Sequence, residues 1–150
     1  MAVVALVTWV ITAGFGFYML TTWIRAGGVR AGAAPAVAGD ASVAAAAHPE
    51  VTRFPPALVF GHFLIAATGL VFWIIYVAVD SDALAWVALV LIVVAAAGGD
   101  FLFLRWWKDR GASGAQRAEQ TIPQAVVYLH GLFAVVTIVL VFLVAVGVGE

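Results

Sequence analysis

The sequence predicts an all-α integral membrane protein: a four-transmembrane-helix bundle built from two pseudo-two-fold-related helical hairpins. Three observations predict it. Four apolar blocks of bilayer length divide the chain, its cations are confined to two of the loops, and part of it repeats at a spacing of 68 residues. Apolar residues make up 65% of the 150 and charged residues only 10%, with a mean hydropathy of +1.13. A soluble domain of this size could not hide that much apolar surface, and patches of that extent would aggregate.

The spans are expected at about 2–24, 56–79, 83–104 and 123–146, each near the ~20 residues that cross a bilayer as a helix. Together they form a single membrane domain. The first has no basic leader and is too long for a signal-peptide core, so it reads as a retained span. The loop 25–55 is rich in Ala and Gly. Asp40 or Ser42 could cap a short helix over Ser42–Ala47 that ends before Pro49, yet the composition is that of a flexible tether, with His48 a solvated residue in it. The second connection carries Asp80 and Asp82. The third, 105–122, is short and basic.

All seven cations lie in two of these loops: Arg25, Arg30 and Arg53 in one, Arg105, Lys108, Arg110 and Arg117 in the other. The positive-inside rule makes both loops cytoplasmic and turns both termini outward. Trp23, Trp106 and Trp107 stand beside the basic residues as an interfacial belt. The Ala/Val/Gly/Arg bias matches that of proteins from GC-rich bacterial genomes, so the expected location is the bacterial inner (cytoplasmic) membrane. So few cations, held at a lipid surface, exclude a nucleic-acid partner, and attraction to anionic lipid is their secondary effect. The absence of cysteine excludes disulfides, thiolate metal sites, iron–sulfur ligation and covalent c-type haem.

At the shift of 68, Phe54-Pro55-Pro56-Ala57-Leu58-Val59-Phe60-Gly61-His62 falls on Ile122-Pro123-Gln124-Ala125-Val126-Val127-Tyr128-Leu129-His130. A second shift, of 83, places Gly16 on Gly99, Tyr18 on Phe101, Trp23 on Trp106 and Arg25 on Lys108. Two hairpins related by an axis along the membrane normal follow, and such repeats put a shared site at their interface.

A histidine inside hydrocarbon is costly and needs a reason, and two at matching positions suggest one shared reason. His62 and His130 each lie seven residues after a proline, Pro55 or Pro123, which puts both roughly 10 Å into the membrane on parallel helices. Asp100, on the antiparallel third helix, reaches a similar depth. In a bundle whose helices follow sequence order, the second and fourth are diagonal, roughly 11–14 Å apart. That gap suits two imidazoles on opposite faces of one haem b, and six-coordinate ligation favours electron transfer over oxygen chemistry.

Small residues crowd the same layer and could give a flat ring clearance: Gly14, Gly16, Ala57, Gly61, Ala66, Gly98, Gly99, Gly131 and Ala134. Phe60, Phe63, Tyr128 and Phe133 could pack on the porphyrin, and Arg53, Arg105 or Lys108 could meet its propionates. Asp100 could orient a histidine through Nδ1. Other readings use the same residues. His62, His130 and Asp100 could hold a non-haem metal, bind a quinone or relay protons. Small residues and histidines can also simply pack and hydrogen-bond helices together, as in a non-catalytic accessory or structural subunit of a larger membrane complex. A redox partner and a homodimer are both compatible with the cytochrome reading.

His48-Pro49 with Phe54-Pro55, then Gly98-Gly99-Asp100-Phe101, then His130 on the last helix, form an order that resembles an uncharacterised family of small bacterial four-helix membrane proteins. That family carries His-Pro, Gly-x-x-Asp-aromatic and late-helix His motifs. The resemblance covers about two thirds of the chain and implies haem association. This sequence departs from the pattern in its compressed Gly98-Gly99 pair and in the full span that precedes His48.

Overall fold

The computed structural model describes residues 1–29, 51–110 and 117–148. Four α-helices dominate them: α1, Ala2–Arg25; α2, Pro56–Val79; α3, Asp82–Asp109; and α4, Gln124–Ala145. Each is long and apolar enough to cross a membrane. They pack as one bundle, with no strand among the described residues. A short 3₁₀ turn, Ala118–Thr121, precedes α4. The expectations for Asp40, Ser42–Ala47 and His48 lie outside the described residues.

Prolines set where the second helix of each repeat begins. Pro55 and Pro123 cap α2 and α4 with nearly the same extended backbone, φ −62° and ψ 120° or 132°. A proline ring holds φ near that value and has no N–H to leave unpaired at a helix start. At the other end of α2, Asp80 adopts a left-handed conformation, φ 54°, and its N–H bonds to Tyr76 O. That reversal lets α3 begin two residues later. Helix α3 continues past the expected end at 104 because its last turns have partners: Trp106 and Asp109 are buried, and Asp109 pairs with Arg53 at 2.6 Å.

Helix α2 packs mainly on α3, and α1 mainly on α4; the α1–α2 and α3–α4 seams are narrower. The bundle obeys the internal repeat in detail. The buried residues of α2, Gly69, Trp73 and Tyr76, become Thr137, Val141 and Val144 of α4 under the shift of 68. Those of α1, Ala5, Trp9, Thr12 and Trp23, become Ala88, Ile92, Ala95 and Trp106 of α3 under the shift of 83. All seven counterparts are buried. Ring pairs repeat as well: Trp23 meets Phe60 edge-on at 6.4 Å, and Trp106 meets Tyr128 edge-on at 6.0 Å.

The buried stripes are narrow, and valines and leucines cover the outer faces of all four helices. That is the expected pattern for helices whose surroundings are lipid, where close contact rather than water exclusion holds the bundle. At the basic end, where Arg25, Arg53 and Arg105 lie, the described segments 51–55 and 117–123 form a cap. Glu119 is fully buried there and accepts from Thr52 Oγ1 at 2.6 Å and from the Arg53 N–H at 2.9 Å. Trp23 Nε1 donates to the same Thr52 hydroxyl at 3.0 Å, so the cap is tied to α1.

Candidate functional site

His62 and His130 face each other across the middle of this bundle, their ring centres 6.2 Å apart and their planes 71° apart. Each is held the same way. His62 Nδ1 lies 2.7 Å from Ala95 O on α3, and His130 Nδ1 lies 3.0 Å from Thr12 O on α1. Ala95 and Thr12 are themselves equivalent under the shift of 83. A carbonyl oxygen only accepts, so Nδ1 carries the proton and donates in both rings. The neutral ring then has its lone pair on Nε2.

Glycine makes this contact possible. One turn beyond each carbonyl lies Gly16 or Gly99, and a Cβ there would come within 3.1 Å of Cε1 of His130 or His62. A side chain at either position would press on the imidazole, which would have to shift by a few tenths of an ångström. Both glycines are positions that the sequence nominated.

Among the described residues the hydrogen bonds of both rings are made by Nδ1, and because no fully buried side-chain nitrogen or oxygen there lacks a partner, each Nε2 opens onto accessible space. Both rings line a cavity of about 220 Å³. It runs from Trp9 on one side to a floor of Trp23, Phe54, Trp106 and Ile122 at the basic end. The lining is mostly apolar, with the two imidazoles and Thr12 among its few polar groups. Such an arrangement suits a ligand that bonds to nitrogen lone pairs: a metal centre or a hydrogen-bond donor.

Other nominated residues stand elsewhere, for a common reason. Depth along a helix does not set the direction a side chain takes around it. Gly61 and Gly131 have nothing within 4 Å of a built Cβ, so they give no clearance to the site. Gly14 is likewise open, whereas Gly98 backs the Cβ of His62 at 3.6 Å. Of the four aromatic candidates only Phe63 lines the cavity. Phe60 packs on Trp23, and Phe133 on Phe15. Tyr128 is half-exposed in a cluster with Phe103, Trp106 and Trp107, and its hydroxyl accepts from Arg110 at 2.5 Å.

Asp100 is exposed on α3, and the Nδ1 atoms it was expected to orient are taken by main-chain carbonyls. Among the described residues, no three His, Asp or Glu side chains gather as a metal site. Arg53 and Arg105 belong to the cap: Arg53 pairs with Asp109, while Arg105 donates to Arg53 O at 2.7 Å and lies over the Phe101 ring. Lys108 is exposed.

Sequence reasoning missed the partners that matter most. Thr12 and Ala95 contribute main-chain oxygens, which no residue identity announces. Asp109 and Glu119 sit among basic or small residues and read as loop charges, and only the fold buries them. Comparison with family models, curated proteins and solved structures returns no match.

Proposed function

We propose that the chain is a membrane b-type cytochrome that binds one haem through His62 and His130 and passes electrons near its basic, cytoplasmic end in the bacterial inner membrane. The observation that carries this reading is the pair of imidazoles, each pinned at Nδ1 by a main-chain carbonyl and both lining one cavity. A metal–imidazole bond of about 2.0–2.1 Å, with roughly 1 Å more from nitrogen to ring centre, puts two rings on a shared metal about 6 Å apart. The observed separation is 6.2 Å.

The donor set fits haem iron. His62 and His130 would hold the haem, which when bound would supply a reversible one-electron couple. The remaining work belongs to the chain. Ala95 O and Thr12 O hold each ring in one tautomer and raise the basicity of the free nitrogen, the role such outer partners have at metal sites. Gly16 and Gly99 let the rings reach those carbonyls. Trp23, Phe54, Trp106 and Ile122 keep water out from the basic end, and the cations beyond them favour anionic groups at that end.

A visible spectrum of the purified protein tests the reading. The reduced protein should show Soret and α bands at one haem per chain, and His62→Ala and His130→Ala should each abolish six-coordinate binding. A colourless protein from haem-replete cells would falsify it.

A further inference from the structure

The cavity breaks the symmetry of the bundle. Of the residues that line it, only Ala13, Phe17 and Phe63 are exposed on the outer surface. All three lie on α1 and α2. Ala66, Ala67, Leu20 and Leu70 continue the same wall behind them. The mouth therefore lies in the α1–α2 seam, one of the two narrower helix contacts in the bundle. On the α3–α4 side, the repeat puts Asp100 where Phe17 stands and Gly131 where Phe63 stands, and neither lines the cavity.

From these observations, and resting on the cytochrome reading, we infer that haem enters and leaves sideways, from the lipid, through the α1–α2 seam, with Phe17 and Phe63 as the gate. The other route is shut. At the basic end, Trp23 and Trp106 are almost wholly buried, and Trp23 is tied through Thr52 to the buried Glu119. Opening that floor would break a chain of buried hydrogen bonds. Widening the seam beside Phe17 and Phe63 breaks no hydrogen bond of either side chain, since both are apolar rings that line the cavity. Phe63 lies seven residues into α2, about 10 Å from its start, so the mouth meets acyl chains rather than water.

The chain has no cysteine, which makes the seam easy to lock. In the full-length double variant Phe17→Cys/Phe63→Cys, a thiol-reactive bifunctional reagent with a cleavable disulfide spacer joins α1 to α2. Hemin is then added to the locked apoprotein in detergent, and the Soret band is followed. Uptake should slow at least about tenfold, an added barrier of about 1.4 kcal/mol, and should recover when the spacer is cleaved. Locking after loading should slow haem loss to apomyoglobin by a similar factor. Unchanged uptake by the locked protein overturns lateral entry and leaves the cytochrome standing. An absent Soret band in unlocked wild-type protein removes the cytochrome reading and this inference together.

Discussion

Two glycines let the imidazoles sit where they do. Gly16 and Gly99 hold a place that a methyl group would fill at 3.1 Å from a histidine carbon. Gly16→Ala and Gly99→Ala should each weaken haem binding by about tenfold or more, the usual cost of disturbing the partner of a metal-ligating histidine. The change should be alike in the two variants, because the two contacts are related by the repeat. Gly61→Ala and Gly131→Ala should leave the haem titration almost unchanged, since a Cβ at either position meets nothing within 4 Å. Equal losses at all four positions would mean that general helix packing, not ring placement, is at work. The sequence marked all four glycines at the same depth. It could not separate them, because each residue step turns a helix by about 100° and the facing helix was unknown.

Between elements, packing and polar contacts divide the work. Gly69 lets Trp9 cross the bundle, and a Cβ there would lie 3.1 Å from Trp9 Cζ2 and 3.2 Å from Leu91 Cβ. Gly69→Ala should lower stability by about 1–3 kcal/mol, the range for an overpacked core, read as an earlier thermal transition in detergent. At the equivalent place α4 carries Thr137, whose hydroxyl lies 2.7 Å from Phe133 O and 3.1 Å from Thr8 Oγ1, with its single hydrogen shared between them. One half of the bundle is thus locked by size and the other by hydroxyls. The cap depends on Glu119. Glu119→Ala strips partners from the Thr52 hydroxyl and the Arg53 N–H, a loss of about 1–3 kcal/mol for buried groups left unpaired. A transition temperature equal to wild type would show that water replaces the carboxylate without cost. Helix positions were readable from hydropathy and proline placement. The cap was not, because Thr52 and Glu119 are 67 residues apart and neither stands out in its own segment.

At the level of the whole molecule, the repeat is the organising fact. The shift of 68 was visible in matched prolines and histidines, and the weaker shift of 83 rested on a few small and aromatic residues. Burial supports both, down to Thr12 and Ala95 supplying equivalent carbonyls. The symmetry does not extend to the cavity mouth, since the paired positions there carry Phe17 against Asp100 and Phe63 against Gly131. The confinement of the cations to two loops of the sequence predicts the orientation. A membrane-impermeant thiol reagent added to intact cells should label Val148→Cys but not Lys108→Cys, and should label both once the membrane is opened. The reverse pattern would invert the assignment of the two faces.

Low-temperature electron paramagnetic resonance of the ferric, haem-loaded protein tests the paired-histidine site most directly. Two axial imidazoles crossed at 71° predict a strongly anisotropic low-spin signal, with conversion to high spin in both His62→Ala and His130→Ala. A high-spin wild-type spectrum, or a low-spin signal that survives loss of either histidine, would contradict it.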